Sequence, residues 1–70
     1  MKLTEAVIEQ EYIILDVVTD DEELKSFLFT LGCYSGEKIT VMFTTKNEYI
    51  VSIKDSRYCI DRNLAECIEI

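Results

Sequence analysis

The chain has 70 residues, of which 49% are hydrophobic, and 14 acidic side chains against 7 basic ones leave a formal net charge of −7. A chain of this length makes one domain, residues 1–70, and buries only roughly 60% of the surface its unfolded form exposes, so one compact core fits and a deep, dry catalytic cavity does not. The acidic balance argues against nucleic acid as a partner, because such binders draw most of their affinity from Lys and Arg at phosphates.

The remaining bounds are just as simple. No apolar run approaches the about 18 residues a membrane-spanning helix needs. The start carries Lys2 but then Glu5, Glu9 and Glu11, without the apolar run of a secretory leader. The expected location is the cytoplasm. The three cysteines, Cys33, Cys59 and Cys67, are odd in number and form no Cys-x-x-Cys pair, which reads as reduced thiols.

In chain order, Leu3 and Ala6-Val7 form a short lead-in strand or turn. Glu11 to Thr19, rich in Ile, Val and Leu, reads as one long strand buried on much of both faces. A helix follows. Leu24, Phe27, Leu28 and Leu31 recur at i, i+3, i+4 and i+7, one face of an α-helix. Asp20 or Asp21 caps its start, Glu22 and Glu23 suit the dipole, and Gly32 ends it. On this reading Phe29 lies off the apolar face.

Ser35-Gly36 turns the chain. Ile39, Val41 and Phe43 then alternate as the inward residues of a half-buried strand, with Met42 outward. After a Lys46-Asn47 turn, Tyr49, Val51 and Ile53 point inward and Ile50 outward. Asp55-Ser56 turns again, and Tyr58 and Ile60 point inward. A helical turn over Asn63 to Glu66 leads to a last strand with Ile68 and Ile70 inward. The class is mainly β: a small barrel with one α-helix inserted after the first long strand and a short helical turn before the last. Periodicity alone does not separate an SH3-like barrel from an OB-fold.

The candidate chemistry is thin. The chain has no His, no phosphate-binding glycine loop and no nucleophile elbow, so no catalytic residue and no cofactor is expected. Asp20-Asp21-Glu22-Glu23 has the oxygen ligands a hard cation uses, but consecutive residues at a helix start splay around the axis and serve capping instead. The three thiols lack the fourth ligand of a structural zinc site. Arg57 and Arg62 are the only arginines. An arginine can lend positive charge to the transition state of a partner enzyme, and the plainer reading pairs each with a nearby carboxylate. Phe29, Tyr34, Met42 and Ile50 are apolar residues at outward positions, the composition of a docking patch if they cluster.

Several segments together resemble the FeoA family. Leu3-Thr4-Glu5-Ala6 is similar to its leading motif. Leu28-x-x-Leu31-Gly32 followed by Ser35-Gly36-Glu37-Lys38-Ile39 is similar to its Leu-x-x-Leu-Gly-x-x-x-Gly-x-x-Ile segment. Val51-Ser52-Ile53 resembles its central hairpin, and Cys59-Ile60 with Ala65-x-x-Ile68-x-Ile70 its closing segment. The chain departs from the pattern near Glu9 and Asp55, where many relatives have Gly, near Glu48, where they often have Pro, and at Ile60-Asp61-Arg62, where they commonly carry Leu-Arg.

The resemblance implies an SH3-like domain and an accessory role in ferrous iron transport, with a FeoB-like membrane transporter as partner through its cytoplasmic G-protein region. The same domain type occurs at the C-terminus of metal-dependent repressors, for whose DNA-binding part this chain has no room. The docking surface expected on this basis is the loop from Cys33 to Lys38, through Cys33, Tyr34, Ser35, Glu37 and Lys38, with Phe29, Met42, Ile50 and Arg62. A metal or thiol sensor built on the cysteines and acids is the alternative. A proline-rich-peptide binder ranks last, since the chain has no Trp and no dense aromatic cluster.

Overall fold

The computed structural model describes residues 1–70. After a short 3-10 helix, Leu3–Glu5, come β1 (Glu11–Ile13), β2 (Asp16–Val17), α1 (Glu22–Leu31), β3 (Lys38–Thr44), β4 (Glu48–Ile53), β5 (Ser56–Asp61), α2 (Arg62–Glu66) and β6 (Ile68–Glu69). The strands form two antiparallel sheets, one in the order β1-β3-β4-β5 and one of β2 with β6. Both wrap one core, the arrangement of a small SH3-like barrel.

The run expected as one long strand is two short ones. Its hydrogen-bonding partner changes in the middle. The Ile14 amide donates to the Glu37 carbonyl at 2.8 Å, and the next amide, Leu15, donates to the Glu69 carbonyl at 2.8 Å. Ile14 and Val17 are buried while Ile13, Leu15 and Val18 stand exposed, so the run buries one side rather than both.

Helix α1 starts and stops as its sequence dictates. Asp21 Oδ1 accepts from the Glu23 and Leu24 amides, which satisfies donors that have no intrahelical partner. Gly32 takes the left-handed conformation at φ 98°, and its amide and that of Cys33 close back on Leu28 and Phe29 carbonyls. The buried stripe is rotated from the one the periodicity predicts. Leu28 is fully buried and Leu24 and Leu31 are half-buried, but Phe27 is 46% exposed, while Phe29 is half-buried and packs on the core. A short helix lying across a small barrel covers little beyond the Leu28 line, and the aromatic nearer the loop is the one covered.

Strand β3 carries a second departure. Its pairing with β4 runs Val41 to Val51 and then Phe43 to Ile50, leaving Met42 as an extra residue in a bulge. A bulge reverses the alternation beyond it. Phe43, expected inside, is therefore exposed, and Met42, expected outside, is half-buried. Strands β4 and β5 keep their alternation, with Val51, Ile53 and Ile60 fully buried. Asp61 caps α2 by accepting from the Leu64 amide at 2.9 Å, and Leu64, Ala65 and Ile68 close the core.

Two positions where the family resemblance leads to glycine hold the glycine-like backbone without it. Glu9 has φ 68°, and the β4–β5 turn places Lys54 at 51° and Asp55 at 68°. Two positive values in a two-residue loop match the twist a tight hairpin requires, and an L side chain there meets the neighbouring carbonyl.

The core is made of 13 buried hydrophobic residues, each large one contributing about 1.5–3 kcal/mol by its removal from water. Cys33 belongs to it. Fully buried, its thiol is pushed up to about 11 by desolvation. The folded state thus keeps a proton that the unfolded state releases above about pH 9, so this contribution to stability is complete below that pH and fades as the pH rises toward 11.

These placements give three expectations. In chemical denaturation, Leu28→Ala should cost about 2–5 kcal/mol, while Phe27→Ala should cost about 1 kcal/mol or less; equal losses would restore the predicted stripe. Glu9→Gly should stabilise by about 0.5–1 kcal/mol, with a smaller gain for Asp55→Gly because Asp tolerates the left-handed region better. For the thiols, Cys59 and Cys67 should react with a chromogenic disulfide in the native protein and Cys33 only after unfolding. Cys33→Ala should also flatten the fall of the melting temperature above pH 9.

Candidate docking surface

The sharp reversal at Gly32 builds the most distinctive surface feature. With φ 98° and a Cβ position only 3.4 Å from Ile53 Cγ2, Gly32 folds the chain tightly over the end of β4. The Tyr34 amide then donates to the Gly32 carbonyl at 2.9 Å, and Tyr34 falls back onto the helix. Its ring stacks on Phe29 with centroids 5.5 Å apart and planes 26° from parallel, within the range of an attractive offset pair.

A lysine stands over each ring of this pair. Lys25 Nζ lies 5.9 Å from the Phe29 centroid and Lys54 Nζ 5.7 Å from the Tyr34 centroid, distances at which a cation is drawn to a ring face. Lys25 and Phe29 are one helical turn apart. Lys54 arrives from the β4–β5 turn and also pairs with Glu37 at 3.5 Å. The result is a ladder, Lys25–Phe29–Tyr34–Lys54, on an otherwise acidic protein. Phe29 anchors it from below as part of the core packing, and Tyr34 is the exposed member.

The rest of the loop is structural support. Ser35 Oγ donates to the Leu15 carbonyl at 2.8 Å, the Gly36 amide to the Ile14 carbonyl at 2.7 Å and the Glu37 amide to Tyr34 at 3.0 Å. The first two bonds tie the loop to the β1–β2 corner and bring exposed Leu15 next to it, and the third closes the loop on itself. Beyond, Lys38 reaches Glu11 at 3.9 Å. Glu37, Lys38 and Lys54 line a shallow groove of about 320 Å³ with Glu11, Gly36, Thr40, Ser52 and Asp55, none of them hydrophobic.

Phe29, Tyr34, Ser35, Glu37 and Lys38 are therefore brought together. Cys33 sits in the loop but inside the core, so it presents nothing to a partner. Ile50 lies elsewhere, on the outer face of the large sheet between Phe43 and Cys59, and Met42 is the bulged residue of β3. Arg62 stands at the opposite end of β4 from Lys54, donating to Glu66 Oε1 at 3.2 Å and to the Tyr49 hydroxyl at 3.5 Å. The pairing expected for an arginine on an acidic surface holds for Arg62; Arg57 makes no ion pair.

Sequence reasoning missed both lysines of the ladder. The spacing of Lys25 and Phe29 could have flagged the first; nothing local points to the second. It also missed Ile13, Leu15 and Val18, whose exposure follows from the change of strand partner.

The metal-ligating types do not converge. No three His, Cys, Asp or Glu side chains are grouped to hold an ion. Asp21 is spent on the helix cap. Cys59 donates to Glu48 Oε2 at 3.1 Å and Cys67 to the Asn63 carbonyl at 3.3 Å, and the Glu48 carboxylate raises the Cys59 thiol above its ordinary value. No helix is long and apolar enough to cross a membrane.

The FeoA domain model matches residues 1–70. No curated protein matches the chain in sequence. Among solved structures, an iron uptake regulatory protein (FeoA) superposes with a TM-score of 0.87 at 20% identity, over 97% of this chain and 91% of its own. The FeoA of Stenotrophomonas maltophilia, complexed with zinc and described as an SH3 domain protein proposed as a bacterial ferrous iron transport activating factor, gives 0.86 at 16% identity over 99% and 87%. The FeoA protein of Chlorobium tepidum gives 0.83 at 24% identity over 99% and 67%. A match over the full 70 residues, with the same SH3-like architecture in these structures, means that the chain belongs to the FeoA family, which is associated with ferrous iron transport.

Proposed function

We propose that this chain is a non-catalytic, cytoplasmic accessory protein of ferrous iron uptake that docks on the cytoplasmic G-protein region of a FeoB-like transporter and modulates its assembly or activity. Family membership sets the process, and the Lys25–Phe29–Tyr34–Lys54 ladder carries the docking surface. Stacked, pre-ordered aromatic side chains lose little conformational freedom on binding, and aromatics are enriched among residues that dominate interface energies. The flanking lysines favour an acidic patch on the partner, while the −7 net charge disfavours other strongly acidic surfaces. Ser35, Glu37 and Lys38 form the rim.

The sensing alternative requires a converging ligand set. Cys59 and Cys67 engage separate acceptors and no third donor joins either, so the docking reading has the better support.

The test is retrieval from native membranes with the tagged chain, nucleotide and lipid present. A transporter with a G domain should be recovered. Tyr34→Glu, which alters an exposed ring, should cut recovery about tenfold or more, and Arg62→Ala should leave it intact. Recovery of soluble proteins alone would break the link to transport. Tight anaerobic binding of Fe(II) by the isolated chain would favour the sensor instead.

A further inference from the structure

The two ends of the large sheet differ. At one end, β1 has three residues and turns away into the second sheet. At the other, β5 has six residues and borders only β4. The two-residue turn Lys54-Asp55 makes Ile53 and Ser56 a hydrogen-bonded pair, and alternation makes Val51–Tyr58 and Tyr49–Ile60 the next ones. The N–H and C=O groups of Arg57 and Cys59, and the N–H of Asp61, therefore face away from β4. No backbone group elsewhere in the chain reaches them.

Such an edge, about 20 Å long, is a template for another strand. Its side chains give the edge direction. Arg57 lies at one end, exposed and without an ion pair. Asp61 lies at the other, with Glu48 directly across from it on β4. Positive at one end and negative at the other, the edge is complementary to itself when reversed.

We propose that β5 is a self-association edge, pairing antiparallel with β5 of a second copy of this chain about a two-fold axis at Cys59. The pattern of free backbone groups restricts the register, because Arg57, Cys59 and Asp61 can only face one another. Centring on Cys59 sets Arg57 opposite the partner's Asp61 on both sides of the axis. Cys59 exchanges two hydrogen bonds with its copy. Each Asp61 N–H donates to the partner's Arg57 carbonyl, whereas the Asp61 carbonyl is committed to the first turn of α2, as at any helix cap. On the inner face half-buried Tyr58 meets the partner's Ile60, extending the apolar layer. The interface is isologous and closed, and it joins two four-stranded sheets into one of eight. The ladder described above lies on the loop after α1 and stays free.

Sedimentation of the full chain at 150 mM salt, where net repulsion beyond about 8 Å is screened, should show a concentration-dependent dimer. Arg57→Glu sets like charges opposite each other twice and should weaken the dimer by at least about tenfold, with no change in melting temperature at protein concentrations low enough that both chains are monomeric. Cys59→Pro removes an amide that β4 does not use and should give a folded monomer. In a Cys67→Ser background a short bis-maleimide should link Cys59 to its copy, and Arg57→Glu should abolish the link. A wild-type chain that stays monomeric up to about 1 mM, the weak end of specific affinity, would overturn the proposal, as would a dimer that both variants leave unchanged.

Discussion

One segment belongs to both sheets, and the rest of the molecule depends on how it divides. Between Ile14 and Leu15 the hydrogen-bonding partner passes from Glu37, at the entry to β3, to Glu69, in the last strand. That step holds the closing strand against the start of the chain, where Met1 and Ile70 also meet through the terminal ammonium and the Ile70 carbonyl at 3.0 Å. Two sheets that share a segment enclose one core without a deep cavity. With 13 buried hydrophobic residues, the molecule has enough apolar surface to fold.

Function in such a small fold moves to the loops and edges. The Gly32 reversal converts the end of a helix into a surface feature by laying Tyr34 across Phe29. Ser35, Gly36 and Glu37 then anchor the loop to the β1–β2 corner through backbone carbonyls. These bonds hold in place the loop that carries Tyr34. The free edge of β5 is a separate resource, on another element and with different recognition chemistry, backbone pairing selected by charge.

The backbone at Glu9, Lys54 and Asp55 holds left-handed geometry on residues that carry side chains. Each sits at positive φ, with a strain that glycine would relieve. The hairpin persists because the cross-strand packing of Val51, Ile53 and Ile60 outweighs a turn that costs about 1–2 kcal/mol per strained residue. Turn composition alone would have undervalued that hairpin.

Local signals were enough for what depends on local physics. An aspartate cap at residue 20 or 21, the Gly32 stop, the short helix before the last strand, the alternation of β4 and β5 and the ordered motifs of the FeoA family were legible in the residues themselves, because capping, left-handed termination and strand periodicity act within a few positions. The tertiary structure decided the rest. It split the Glu11–Thr19 run between two sheets, since hydrophobic content does not say which strand accepts each amide. It exposed Phe43 through a bulge, exchanged Phe27 for Phe29 at the core and drew Cys33 inside. It also brought Lys54 to Tyr34 and left Met42, Ile50 and Arg62 elsewhere. A surface assembled from a helix, a loop and a hairpin turn has no signature along the chain, because its members become neighbours only when the sheets close.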